Sequence, residues 1–295
     1  MWVVVLLGLI LFNEVTRRSK IAAMIGFIVL PVILTIFIWP KTAGEGSSTG
    51  TWFHWVKVYS ALAGCIGFYC IRHIKSVSKS KFVFIFPPLI LSVNILEAVL
   101  RDFQCSNLQG MVDGVMMVGG SWNIMNGIAG IINIITICGW MGIYISKDST
   151  KDMIWPDMIW PWIIAYDIWN FAYVYNCVSD HSFYAGLTLL VAPTLVAFTI
   201  KKGAWLQHRA HTLAAWMMFT MTFPQFVGDS KFAVESSHNK TALFIVSLLA
   251  LIANIAVLVY QLYRMKKYKK NVLKEEIYVG TKAYEQVANK NLVNN

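Results

Sequence analysis

Residues 241–264 read TALFIVSLLALIANIAVLVYQLYR, with no charge before Arg264 at the far end. At about 1.5 Å per residue, a helix of this length exceeds the roughly 30 Å of bilayer hydrocarbon. The stretch therefore reads as a membrane span, and the rest of the chain is best judged against that solvent.

Working outward from it, similar apolar runs fall at 1–16, 20–39, 52–74, 82–100, 121–145, 154–178, 183–200 and 211–228. With 241–264 this predicts an all-α, polytopic transmembrane helical bundle of about nine spans. Eight is the alternative, because the first run is short and Thr and Pro residues interrupt the one at 211–228. The transmembrane domain then covers 1–264, and 265–295 is a basic tail. The N-terminal MWVVVLLGLILFNEV has no basic start and no small-residue cleavage site, so it reads as a retained first helix. Composition agrees. The 295-residue chain is 57% hydrophobic and only 14% charged, where soluble domains carry about 25% charged residues.

The net charge of +10 could suggest nucleic acid, but the basic residues sit in short loops and the tail, not in a patch, which argues against it. Counted over alternate loops, they divide 20 against 5. The basic side carries Arg17, Arg18, Lys20, Arg72, Lys75 and the tail, while the other holds Lys41, Lys57, Arg101, Lys231 and Lys240. Basic loops stay in the cytoplasm, so the expected topology is N-out, C-in. Trp39, Trp52 and Trp55, with Trp155, Trp160 and Trp162 of the tandem MIWPDMIWPW (153–162), are expected at the headgroup level. The tail KKYKKNVLKEE (266–276) is expected along the anionic cytoplasmic leaflet.

Among five cysteines there is no metal-ligand spacing, though Cys105 and Cys177 fall toward the same outer side and a disulfide between them is conceivable. The outer segment 102–120, DFQCSNLQGMVDGVMMVGG, reads as a surface excursion, with a re-entrant segment as the alternative.

Ionisable and amide side chains at membrane depth mark candidate function. The run WPWIIAYDIWNFAYVYNCVSDH (160–181) is richest. Tyr166, Asn170, Tyr173 and Cys177 share one helical face, Trp169, Tyr173, Asn176 and Asp180 an adjoining one, and Asp167 borders the first. A polar cavity or proton relay centred on Asp167 is one reading. Helix–helix bonding is the other. Asn94, Glu97 and Arg101 share a face of the fourth run. Glu97 there either pairs with Arg101 or lines a vestibule with Lys57 and His54. Asn123, Asn126, Gly130 and Asn133 read as a packing face. His208 and His211 flank Arg209 at the expected cytoplasmic mouth of the eighth run, where they could pass protons. HRAH lacks a third metal ligand, and no motif implies a cofactor.

The last run has no mid-membrane lysine for a retinal Schiff base. Phe226 stands where an intramembrane aspartyl protease has the first glycine of its Gly-x-Gly-Asp motif, and Asp229 and Asp167 lie at different depths. Pro224-Gln225 is a single dipeptide without a second copy.

The stretch 160–181, with EAVLRDF (97–103) and HRAHTLAAWMMF (208–219), resembles an uncharacterised family of bacterial multi-pass membrane proteins. The resemblance implies a bacterial cytoplasmic membrane and no particular activity. The residues themselves point to a transporter of a small solute or ion, with coupling to protons as one form of it. A membrane-embedded enzyme acting on a lipid or isoprenoid, and a receptor or assembly subunit, are the alternatives. Lipid is the one partner implied, and oligomeric state is not encoded in these patterns.

Overall fold

Each of the nine apolar runs is occupied by a helix in the computed structural model, which describes residues 1–44, 46–112 and 114–292. These helices are α1 (Trp2–Arg18), α2 (Lys20–Thr42), α3 (Trp52–His73), α4 (Lys81–Cys105) and α5 (Ser121–Ile135). They continue with α6 (Trp160–Cys177), α7 (Tyr184–Thr199), α8 (Trp205–Thr222) and α9 (Lys240–Tyr268). The chain is mostly helical, at 72%. Among the described residues, three helices, α2, α4 and α9, are long and apolar enough to cross a membrane by length and composition alone, and α7 is a shorter apolar helix.

Local chemistry sets the boundaries. Ser19 breaks α1 from α2 with extended backbone, and its hydroxyl accepts the Ala22 amide as an N-cap. In α2, two π-helical turns, Ile25–Val29 and Leu34–Ile38, flank Pro31, whose missing amide interrupts the regular ladder. Asn239 caps α9 by accepting from Thr241 and Ala242, and Lys266 and Lys267 in its last turn complement the helix dipole.

Three helices differ from expectation. Helix α6 begins only at Trp160, six residues into its run. Helix α5 stops at Ile135, ten residues before its apolar run ends. The chain leaves the helix there and reaches Gly139 in the left-handed region at φ +68, where a side chain would collide with Asp157. Helix α8 starts at Trp205 and ends at Thr222, ahead of Pro224. His208, Arg209 and His211 thus lie inside a helix, not in a loop.

The helices pack as two groups. One core joins α4, α5, α6 and α9 through Ile95, Val99, Ala129, Trp169 and Ala250. The other joins α1, α2, α3, α7 and α8 through Leu9, Phe27, Val58, Leu189 and Ala214. Helix α3 bridges them, giving Phe53 and Phe68 to the first and Val58 and Leu62 to the second. Gly130 lets α5 meet its neighbours closely, since a Cβ there would stand 2.4 Å from Val99. Outward faces carry Val4, Leu11, Ile21, Leu100, Ile252 and Val259, each more than half exposed. So much contiguous apolar surface suits lipid.

The 102–120 segment carries a β-hairpin. Strands β1 (Gln109–Val112) and β2 (Val115–Val118) pair antiparallel, with Val115 and Met117 buried and Met111 and Met116 exposed. Ser179 donates to the Met116 carbonyl at 3.1 Å, so the hairpin covers the end of α6. A second hairpin, β3 (Tyr144–Ile145) with β4 (Met153–Ile154), lies between α5 and α6.

The tail is folded against the protein. Asp157 accepts the amides of Ile277 (2.8 Å) and Tyr278 (2.7 Å), and Arg264 donates to the carbonyls of Ile277 (3.2 Å) and Val279 (2.8 Å). Helix α10 (Lys282–Leu292) then seats Val287 against Ile154 and Ala204. Trp39, Trp155 and Trp162 are buried core residues and not interfacial anchors. The indoles of Trp155 and Trp162 donate to the Cys138 carbonyl and the Thr136 hydroxyl, each at 3.0 Å. Cys105 and Cys177 are buried free thiols.

Candidate functional site: a cationic cavity between five helices

Where the two helix groups meet, α3, α4, α6, α7 and α8 line a cavity of about 80 Å³. A water needs roughly 10–15 Å³ on such a measure, so the space suits a few waters or one small solute. Its walls are apolar at Phe53, Phe68, Leu91, Leu206 and Met217, and polar at His54, Lys57, Asn94, Tyr166, Asn170, Tyr173, His181 and Arg209.

Helical periodicity places these groups. On α3, His54, Lys57, Ala61, Gly64 and Phe68 recur three or four residues apart and form one face. On α8 the same spacing aligns Arg209, Leu213, Trp216 and Met217. On α6 it aligns Tyr166, Asn170 and Tyr173, the stripe visible in the sequence.

The charges are unevenly matched. Lys57 Nζ lies 2.8 Å from Glu97 and also donates to the Asn94 carbonyl at 2.8 Å, and the Ser60 hydroxyl donates to Glu97 at 3.1 Å. Glu97 therefore pairs across to α3, not along its own helix, while Arg101 bonds Gln104 at 2.8 Å. Asn94 turns its amide nitrogen back to the Ile90 carbonyl at 3.1 Å. Next to this pair, His54 and His181 face each other with ring centroids 5.4 Å apart, and Asp180 lies 3.3 Å from His181. Arg209 is different. It makes two long contacts, Nε to Tyr166 Oη and Nη2 to Asn170 Oδ1, both 3.4 Å, and its buried Nη1 has no protein partner. Among the described residues no carboxylate lies within 4 Å of it.

Asp167, one residue and about 100° of helix rotation from Tyr166, is absent from the cavity lining. Its carboxylate accepts the Thr194 hydroxyl at 2.7 Å and borders an apolar groove between α6 and α7. Trp169 donates to the Asn126 carbonyl at 3.0 Å, and Asn176 donates to Ser247 on α9 at 2.7 Å, so both join helices. His208 and His211 meet α1 at Asn13 (3.3 Å) and Thr16 (3.2 Å), and His211 also stacks on Phe27. Neither histidine lines the cavity. Asn123 and Asn126 hold the buried carboxylate of Asp102, at 3.4 and 2.7 Å.

Beside the cavity a second charged cluster is fully matched. Asp152 takes Arg17 at 2.7 Å, Gln207 at 2.8 Å and Thr150 at 2.6 Å, with Arg72 at 3.8 Å. Arg72 itself donates to the carbonyls of Arg17, Thr150 and Lys151. Burial works against the charge of Asp152, but Arg17, Thr150 and Arg72 outweigh it and hold its carboxyl below the usual range. Asp148 shows the same balance. Burial raises it, and hydrogen bonds from Lys201, Thr150 and Ser146 pull it lower still. Gln207 and Arg209 are two residues apart, about 3 Å of helix rise. The matched cluster is thus the cavity's neighbour along α8.

In the sequence Arg209 reads as a loop charge, and neither His181 nor Ser60 stands out. The signal that could have placed Arg209 is its i, i+4, i+7 register with Leu213 and Trp216. No group of three or more His, Cys, Asp or Glu that could hold a metal ion occurs among the described residues.

No curated protein and no solved structure matches the chain. The family model DUF5692, described as a family of unknown function, matches residues 1–290, and the chain therefore belongs to that family.

Proposed function

We propose that this protein is a multi-pass membrane transporter of a small solute, with the cavity between α3, α4, α6, α7 and α8 as its binding chamber. One observation carries the reading. Polar and charged groups from α3, α4, α6 and α8, with His181 from the turn before α7, converge on one small space at the seam of two helix groups. Such groups are costly inside lipid and are kept where they meet a solute or one another. A seam between two packed bodies is also where relative motion opens a site with the least repacking.

The proposed arrangement places nine helices across a bacterial cytoplasmic membrane, N-out and C-in, as the loop charges support. The matched Asp152 cluster then lies on the cytoplasmic side and closes that end. Proton coupling, where present, runs through His54 and His181, which line the cavity, and not through Asp167.

The test is flux. Purified protein in proteoliposomes is challenged with small anions, cations, sugars and amino acids, and currents or tracer uptake are compared with empty vesicles. Wild type moves at least one class. Ala210→Trp, which fills the chamber, stops that flux while the protein still elutes as a single species. Flux equal to empty vesicles for every class overturns the reading, as does flux that survives a filled chamber. A fluorescent protein fused to the C-terminus should fold and glow, as required for a cytoplasmic end.

A further inference from the structure

We infer that the cavity is a site for a small carboxylate, gripped by Arg209 and Tyr173. This rests on the reading of the cavity as a solute chamber and names the chemistry of the solute.

Four observations converge. Arg209 is buried, at 5% exposure, and lines the cavity, and its Nη1 has no protein acceptor. Its other contacts, at 3.4 Å, are long for charge-assisted bonds, which run near 2.7–2.9 Å. Tyr173 lines the same cavity at 3% exposure, and its hydroxyl also lacks a protein partner. Lys57 adds a second cation to the lining, but Glu97 neutralises it at 2.8 Å, so the excess positive charge belongs to Arg209.

An isolated buried guanidinium costs several kcal/mol unless an anion meets it. The nearest acid on the adjoining helix, Asp167, is held by Thr194 in the outer groove. The protein therefore leaves the place opposite Arg209 to something it does not itself supply. The planar fork of arginine matches a carboxylate's two oxygens. Tyr173, on the same lining, is assigned as a further donor. Wall chemistry narrows the class further. A cavity with Phe53, Leu91 and Val174 among its walls beside the polar groups suits an acid with a short aliphatic part.

Titration of the purified protein in nanodiscs with acetate, propionate and butyrate tests this, read by tryptophan fluorescence, since Trp216 lines the cavity. The matched amides, acetamide and propionamide, and the inorganic anions chloride and nitrate serve as comparisons. Carboxylates should bind at least about tenfold more tightly than their amides, the usual size of a lost charged hydrogen bond. Arg209→Gln should remove that preference, and Arg209→Lys should retain part of it. Should Arg209→Gln fail to fold, Tyr173→Phe carries the test with an expected loss of about fivefold from one missing hydrogen bond.

Amides that bind as well as carboxylates overturn the inference. So does equal binding of chloride or nitrate, which would mark a generic small-anion site. Carboxylate binding without flux above empty vesicles leaves the inference standing and removes the transport reading. Flux of a neutral or cationic solute with no carboxylate binding does the reverse.

Discussion

Arg17 and Arg209 are both buried, at 4% and 5% exposure, yet their surroundings differ completely. Arg17 has Glu14 and Asp152 at 2.7 Å each, and Asp152 in turn holds Gln207 and Thr150, so nearly every donor and acceptor is used. Arg209 has two long neutral contacts and a spare N–H. A buried charge whose partners are all supplied by the chain serves the fold. One whose partner is withheld serves something else. The contrast separates a structural clamp from a binding chamber at neighbouring levels of the same helix, α8.

The largest break in this comparison comes from Asp152→Ala. It strips Arg17 and Arg72 of their shared acid and should cost about 3–5 kcal/mol, as removing one partner of a buried pair does. Arg209→Gln should leave stability unchanged or raised, because among the described residues no carboxylate lies within 4 Å of the group it removes. Detergent-titrated unfolding of the two variants side by side decides the matter. Equal losses would erase the distinction.

Next in size is Lys57→Met, which leaves Glu97 buried with only Ser60 as donor. A loss of about 3 kcal/mol is expected, and adding Glu97→Gln should recover more than about 1 kcal/mol of it in a double-mutant cycle. Strict additivity of the two would show that the pair is not coupled.

Acid should separate the two regions more gently. Asp148 and Asp152 have folded pKa values below their unfolded ones. Their stabilisation is therefore complete above about pH 4, the ordinary carboxylate value, and fades as the pH falls through the folded values beneath it. Melting temperature should decline on acidification below pH 4, and Asp148→Asn should flatten part of that decline. An unchanged slope in the variant would remove Asp148 from the account.

Asp167→Asn should have the smallest effect. The amide oxygen still accepts from Thr194, so stability should change by less than about 1 kcal/mol and carboxylate binding should be unaffected. A lost binding signal would return Asp167 to the site.

The sequence made the helices legible because apolar runs in this chain are long and their breaks are chemical: Ser19, Pro224 and Asn239 each end or start one. The stripe Tyr166, Asn170 and Tyr173 was legible for the same reason, as periodicity alone puts those residues on one face. Which neighbour that face meets was not. Asp167 differs from Tyr166 by one step of helix rotation, and no local pattern says which of two adjoining faces looks inward. Arg209 was hidden by its neighbours, since a polar first turn, Gln207-His208-Arg209, resembles a loop when hydropathy is the only guide. The Asp152 clamp was out of reach altogether, because its partners Arg17 and Arg72 stand far away in sequence and meet it only through tertiary packing. The hairpin at 109–118 and the docked tail likewise depend on surfaces that other helices provide.

The docking of Ile277 and Tyr278 onto Asp157 has a consequence for how the protein is made. The two amides that satisfy this buried carboxylate lie 120 and 121 residues further along the chain. During synthesis, Asp157 leaves the ribosome long before its partners exist, and α6 to α9 must be in place before the latch can close. A chain that stops between residues 269 and 276 keeps all nine long helices but leaves Asp157, just ahead of α6, without its two amide donors.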